Sequence, residues 1–363
     1  MAKSIAQTVV RDVLRIKENE PVLISVAEHT RDLGTEVALE CFKVGADPAI
    51  LYENDAFFYG QFKHLTDDQL RTTSAHCLGL EDYVRSYVWL SGRKDPAGMA
   101  KISKEKWAAY NQGEDAHYRK TLEKRPKSAS VDLSLVTRER ARTYGFNYAA
   151  WKRNTEDAIK VNYAAMARMG ELAKGFLLVP HEVRVTADNG TDLKFRLAGP
   201  SRPIHISDGV ISDEDIAIGN VSESLPAGSV TVAPVEGSAN GTFAGDVGIP
   251  HVGRLIEGIA WTFKDGKVTD FTAKRNLASA QINYAEGTGA KDMLGLLTIG
   301  VNPKAKAGFL ANFIPKGTVT IGIGDNLFFG GTNTSTYGFA AHHSCANVDL
   351  NGKRIIEDGR FVV

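Results

Sequence analysis

Along the first half of the chain, apolar residues alternate between two periods, and that alternation predicts the architecture. Ile5, Val9, Val13 and Leu14 keep the spacing of one helix face. Residues 22–26 form a short apolar run that reads as a buried strand. Thr30 stands where it can cap a helix carrying Leu33, Val37, Ala38 and Cys41, and residues 48–52 supply a second short strand. Strand, helix and strand joined by short connections make a βαβ unit, hence a mostly parallel sheet with helices on its faces. Residues 86–90 and 130–136 are predicted as later strands of that sheet. Residues 149–174, with Trp151, Ile159, Tyr163, Met166 and Met169 among charges, are predicted as one long helix leading out of it.

The second half is built differently. Ten of the 35 glycines fall in residues 1–180 and 25 in residues 181–363. Short apolar runs such as 259–263 and 268–273 are separated by the turn pairs Asn189-Gly190, Asp265-Gly266, Asn351-Gly352 and Asp358-Gly359. This pattern predicts an antiparallel, glycine-rich β domain, with one helical insert around residues 292–297. The expected fold class is therefore α/β: a mostly parallel α/β sheet domain over residues 1–175, then a β-rich domain over residues 176–363.

Composition narrows the function classes. The 363 residues carry 43 Lys plus Arg against 43 Asp plus Glu, with 43% hydrophobic and 24% charged residues, the profile of a two-domain globular protein. A zero net charge and the absence of a basic cluster argue against a nucleic-acid partner. Cys41, Cys77 and Cys345 are too few and too widely spaced for a disulfide framework or a Cys-x-x-Cys zinc site, so a reducing cytoplasm is the expected compartment. No apolar signal segment opens the chain, and no run of about 18 apolar residues predicts a membrane span.

Candidate chemistry concentrates in the second half. The stretch Ala233-Pro234-Val235-Glu236-Gly237-Ser238-Ala239-Asn240 ends a strand in a carboxylate followed by small turn-forming residues, and Asp246, His251 and Arg254 follow. A carboxylate at a strand end is where ligands are commonly held. The same spacing equally suits a turn in which Glu236 and Asn240 satisfy backbone amides. In His342-His343-Ser344-Cys345, adjacent histidines on a strand point to opposite faces, so only one can join a given site. His343 and Cys345 share a face, as a nucleophile pair or as a half-buried structural pair. Trp89, Phe328, Phe329 and Tyr337 are candidate walls of an apolar pocket. The loop Gly330-Gly331-Thr332-Asn333-Thr334-Ser335 can approach a ligand closely through its glycines.

One order of landmarks carries a resemblance. It runs through Gly190-Thr191-Asp192-Leu193, Leu225-Pro226-Ala227-Gly228, Ala233-Pro234-Val235-Glu236, Asn240-Gly241-Thr242, Gly253-Arg254, Glu286-Gly287, Gly300-Val301-Asn302, Lys316-Gly317-Thr318, Gly330-Gly331 and Asp358-Gly359-Arg360-Phe361. This resembles the metallo-aminopeptidase family of aminopeptidase T and aminopeptidase S over essentially the whole chain. The resemblance implies an α/β N-terminal domain, a β-rich C-terminal domain carrying the active site, a homodimer, and a divalent metal pair. Glu236 matches the family's first metal-binding glutamate. The other ligand positions fall on Leu296, Thr320, Gly338 and Ala340, none of which provides a carboxylate or imidazole. A related enzyme, 2,5-dihydroxypyridine 5,6-dioxygenase, is similar in fold and holds ferrous iron; its first histidine also matches Leu296.

The leading expectation is therefore a metal-independent hydrolase of a small aromatic or N-heterocyclic molecule, with no cofactor assigned. Glu236 would be the base, Glu223 or Asp246 a second carboxylate, and His251 or His343 the proton carrier. Arg254 would grip a substrate carboxylate, with Asn240, Trp89, Phe329, Ser335 and Tyr337 also against the substrate. The alternatives are a divalent-metal aminopeptidase, a ferrous ring-cleaving dioxygenase, and a non-catalytic ligand-binding dimer.

Overall fold

The computed structural model describes residues 3–282, 284, 285 and 287–362; Glu286, half of the Glu286-Gly287 landmark, lies outside the described residues. The chain divides into two units: Met1–Lys152 with Gly209–Pro226, and Arg153–Asp208 with Ala227–Val363. A single cut near residue 175, as the sequence suggests, separates neither. The helix Tyr163–Leu177 places Met166, Ala173 and Leu177 in the second unit's core, and a Cβ on its Gly170 would lie 2.8 Å from Ile206 of that unit. The strand Ser222–Leu225 pairs in parallel with Lys127–Val131 and so returns to the first unit.

In the first unit, five parallel strands lie in the order Asp47–Tyr52, Pro21–Val26, Ser86–Leu90, Lys127–Val131 and Ser222–Leu225. Val22, Ile24, Val26, Val88, Leu90, Ala129 and Val131 are buried, as expected of strands covered by helices on both faces. The strand expected over 130–136 begins earlier. Its register against Ser86–Trp89 takes in Lys127–Ser130, and Asp132–Leu135 closes a 3-10 turn instead.

Two further expectations are corrected. The single helix expected over 149–174 is two helices, Tyr148–Ile159 and Tyr163–Leu177, because the side chain of Asn162 accepts from the Ala165 amide and starts a new helix. The helical insert expected around 292–297 is the start of a strand, Leu294–Gly300. Its residues are buried on both faces, and such a run has no period to distinguish it from a helix.

In the second unit, an eight-stranded antiparallel sheet contributes Val183, Val185, Leu193, Phe195, Phe243, Trp261 and Phe263 to the core. A five-stranded antiparallel sheet in the order Gly338–His343, Val319–Gly324, Leu294–Gly300, Ser229–Val232 and Ile204–Ser207 contributes Val230, Val232, Leu297, Ile299, Val319 and Ile321. The turn pairs are where the sequence puts them. Asp265-Gly266, Asn351-Gly352 and Asp358-Gly359 each take two positive φ angles, matching the right-handed twist of the strands they join.

One of these turns also packs on another element. At φ 80°, Gly266 lies so close to the backbone of Glu236 that a Cβ would come within 1.9 Å of its carbonyl oxygen, whereas Gly352, at φ 82°, faces open space. Gly266→Ala should therefore cost about 3 kcal/mol or more and Gly352→Ala about 1 kcal/mol, read as shifts in the urea midpoint. Equal costs would mean that only the φ angle matters.

Candidate functional site

The five-stranded sheet of the second unit has two unlike faces. Alternation sends Ile204, Ile206, Val230, Val232, Leu297, Ile299, Val319, Ile321 and Ile323 to the apolar side. On the other side, one register line crosses all five strands: His342 faces Thr320, Thr320 faces Thr298, Thr298 faces Thr231, and Thr231 faces His205. All five are buried. Thr320 Oγ1 lies 2.9 Å from His342 Nδ1, and the Thr231 and Thr298 hydroxyls are 2.8 Å apart. Phe328 and Phe329 meet the His205 ring at centroid distances of 5.2 and 5.3 Å. Burial pushes His342 down to about 4, against the opposing charge of Asp246, so its imidazole is neutral at pH 7. Sequence reasoning passed over this row. Its signal is a histidine or threonine set between aliphatic residues in four separate segments, but alignment across strands is a property of the register.

Glu236 sits in a 3-10 turn that follows the strand Ser229–Val232. Its Oε2 accepts from Arg202 Nη2 at 2.7 Å. Its Oε1 accepts from the Thr332 amide at 2.8 Å and from Asn326 Nδ2 at 3.1 Å. Arg202 also donates to the carbonyls of Ala233 and Pro234. Burial alone would raise the Glu236 pKa, but Arg202, the Thr332 amide, its own amide and Asn326 together pull it down to about 2. A carboxylate so strongly held is a weak proton acceptor at neutral pH. The geometry gives Glu236 the bracing role that the turn reading anticipated, fixing Arg202 and the 326–333 loop.

The other expected residues are dispersed. Asp246 accepts from the Ser344 amide at 2.8 Å and its hydroxyl at 2.7 Å, and lies 3.6 Å from His343 Nδ1. That nitrogen also accepts from the Cys345 amide, while the buried Nε2 of His343 has no hydrogen-bond partner. Burial lowers the His343 pKa against the charge of Asp246. His251 sits on the hairpin Ile249–His251 and Arg254–Ile256, opposite the exposed Arg254. Its ring meets Phe339 edge-on at 5.2 Å, and burial pushes it down to about 4.

Asn240 braces the Asp265 turn through its Oδ1. Ser335 donates to the Thr288 carbonyl and accepts from the Tyr337 amide, and Tyr337 donates to the Ala280 carbonyl and stacks on Phe339. Glu223 and Trp89 belong to the first unit. There Glu223 accepts from the Gly209 and Ser224 amides, and Trp89 stacks on Tyr87 at 5.0 Å. The residues brought together are thus Glu236 with Arg202, Asn326 and Thr332; His205 with Phe329; and Asp246 with His343.

A divalent metal pair does not fit these side chains. Leu296 packs across the strand against Gly322, where a Cβ would come within 2.6 Å of it. The Thr320 hydroxyl is engaged by His342, and Gly338 and Ala340 have no donor. Among the described residues, no three His, Cys, Asp or Glu side chains gather closely enough to hold a metal ion.

Residues 148–300 match the family model for thermophilic metalloprotease (M29). The chain also aligns with wild-type AmpT from Thermus thermophilus at a TM-score of 0.77 and 17% identity, covering 99% of this chain and 98% of that one. The fold is that of AmpT. A 2,5-dihydroxypyridine dioxygenase from Pseudomonas putida KT2440 is also similar, at a TM-score of 0.58 and 13% identity over 96% of this chain and 94% of that one. No curated protein matches by sequence. The mixed architecture, a parallel sheet and antiparallel β-rich sheets, is thus the AmpT fold as expected. Among the described residues, no helix is long and apolar enough to cross a membrane.

Within this AmpT fold, the Arg202–Glu236 pair sets two expectations. Arg202→Met, which leaves a buried carboxylate unpaired, should cost about 3–5 kcal/mol, and Glu236→Gln less, both read by chemical denaturation. A depressed carboxylate pKa stabilises the fold above the ordinary glutamate value of 4.5. That contribution should fade in acid as the pH falls from 4.5 toward about 2, and should be absent from Glu236→Gln.

Proposed function

We propose that this chain hydrolyses a small aromatic or N-heterocyclic molecule on the polar face of its five-stranded sheet, by acid–base chemistry of its own side chains and without a metal. The observation that carries the reading is the buried His342–Thr320 pair within a line of three hydroxyls and two imidazoles. A neutral imidazole beside a hydroxyl can take a proton from water and return it to a leaving nitrogen. In the hydrolysis, water oxygen bonds to the electrophilic carbon and its proton passes to His342. The carbon–nitrogen bond then breaks as that proton moves to nitrogen. Of the paired hydroxyls of Thr231 and Thr298, one donates to the other and the second keeps its proton for the developing oxyanion, and Phe328 and Phe329 beside His205 offer ring faces to a planar substrate. The base role expected of Glu236 passes to His342, because Arg202 and three further donors occupy the carboxylate.

The preference for a ring substrate is supported by the similarity to a dihydroxypyridine dioxygenase. The preference for side-chain catalysis over the chemistry named by the metalloprotease family is supported by the misfit of the ligand positions to a metal pair. Assembly as a homodimer belongs to the same proposal.

The test is a panel of aryl amides, lactams and hydroxypyridines incubated in ¹⁸O-water, under air and under argon, with and without EDTA. Label from water should enter the product under argon and in EDTA, and His342→Gln should lower kcat by about 10²–10⁴. Turnover that needs oxygen would favour ring-cleaving dioxygenation, and turnover that needs an added divalent ion would favour a metallopeptidase; either would overturn the proposal. The pH profile is a second check. A base held at about 4 keeps kcat/KM level down to that pH, so an acid limb near the ordinary histidine value of 6.5 would assign the base to another group.

A further inference from the structure

The parallel sheet of the first unit reverses its winding between Pro21–Val26 and Ser86–Leu90. From the first of these strands the chain moves outward to Asp47–Tyr52, then crosses back to Ser86–Leu90 on the other side and continues to Lys127–Val131. At such a switch point, loops leave the carboxyl ends of neighbouring strands in opposite directions, and open α/β sheets hold ligands in the crevice between them.

Here that edge is polar and tightly tied. After the first strand, the Thr30 hydroxyl donates to the Leu90 carbonyl at 2.8 Å. His29 Nε2 lies 2.8 Å from the Ser134 carbonyl in the turn after the fourth strand. A carbonyl accepts only, so Nε2 carries the proton and Nδ1 of the neutral ring is a bare acceptor. That Nδ1 is buried with no hydrogen-bond partner.

The two arginines at this edge differ. Arg93 is compensated: it donates to Glu53 at 2.6 Å and to the Asn54 carbonyl, and lies over the Phe58 ring at 4.2 Å. Arg140, 9% exposed, is not. Its Nη2 donates to the Arg93 carbonyl, its Nε is buried without a partner, and it forms no ion pair with any Asp or Glu among the described residues. The charged groups around it are Asp55, whose carboxylate is occupied by the amides of Lys94 and Asp95, Asp132 in the turn after the fourth strand, and Arg93 itself; neither carboxylate is in ion-pair contact with the guanidinium. A buried guanidinium with no carboxylate in contact is costly, and an external anion bound to it offsets that cost. The charge of Arg140 also reaches His29, where it acts with burial to lower the imidazole pKa.

We propose that the carboxyl edge of the first unit's sheet is a second ligand site, in which Arg140 and His29 bind a phosphate group, free or as a phosphomonoester. Phosphate offers each unsatisfied group the partner it lacks. Its charged oxygens accept from the guanidinium, and the P–OH of its protonated form (for an ester, the monoanion) donates to His29 Nδ1, a contact that a carboxylate, which only accepts, does not make.

Calorimetric titration of the full-length protein with sodium phosphate at constant ionic strength and pH 7 tests the site. Glycerol phosphate tests the ester form and sodium acetate the carboxylate. One saturable phosphate site per chain is expected, with acetate at least tenfold weaker. Arg140→Gln should weaken phosphate at least tenfold, about 1.4 kcal/mol, and His29→Phe should weaken it severalfold. Arg184→Gln, which removes an exposed arginine paired with Asp192, should leave it unchanged. Tighter binding of glycerol phosphate than of phosphate would identify a monoester as the occupant, and the reverse order the free ion. If Arg140→Gln does not fold, Arg140→Lys keeps the charge but lacks Nε and should lose the same factor. No saturable heat with wild-type protein, equal binding of acetate, or undiminished binding by both Arg140 variants would overturn the site.

Discussion

Much of the second unit is organised around one buried ion pair. The carboxylate of Glu236 takes Arg202 on one oxygen and the Thr332 amide with Asn326 on the other, so a strand end, an arginine from another segment and the glycine-rich loop meet at a single side chain. The backbone of the same turn is the surface on which Gly266 closes its hairpin. A charge buried this deeply is tolerable only when its hydrogen-bonding capacity is filled, which is why four donors converge on it and why its pKa is low rather than high. Arg202 supplies the positive charge beside this carboxylate from within the chain.

That arrangement changes which residues are free for chemistry. A braced carboxylate holds other groups in place, whereas a neutral buried imidazole remains able to exchange a proton. His342 has that character because burial disfavours its charged form, and the neighbouring strand presents a hydroxyl to its Nδ1. The row continues through Thr298 and Thr231 to His205 without needing any residue distant in the fold, since cross-strand neighbours on one face of an antiparallel sheet are held about 4.5–5.5 Å apart by the ladder itself. Similarity to AmpT and to a dihydroxypyridine dioxygenase establishes the architecture, while the chemistry follows from what occupies the positions within it.

The first unit meets the same physical constraint differently. Its inner strands Pro21–Val26 and Ser86–Leu90 are largely buried, and polar side chains gather at the strand ends. There Arg93 finds Glu53 and a ring face, while Arg140 and His29 each keep an unsatisfied atom. In the first unit these buried atoms without partners mark where a ligand would complete the structure.

Local features were legible in the sequence. The pairs Asp265-Gly266, Asn351-Gly352 and Asp358-Gly359 declare their turns because few residues adopt two successive positive φ angles, and the runs at 22–26 and 86–90 declare strands by their length and apolarity. The strand-end carboxylate of Glu236 was legible too, with both of its readings. Tertiary structure decided the rest. Only packing on Ile206 and Val230 assigns the helix Tyr163–Leu177 to the second unit, and only pairing beside Val319–Gly324 makes a strand of Leu294–Gly300. His342, Thr320, Thr298, Thr231 and His205 are scattered over more than a hundred residues of sequence and are aligned by register alone. Dihedral preference acts between neighbours in sequence and can be read there; strand pairing, burial and the neutralisation of Glu236 by Arg202 depend on distances in space, which exist only once the chain has folded.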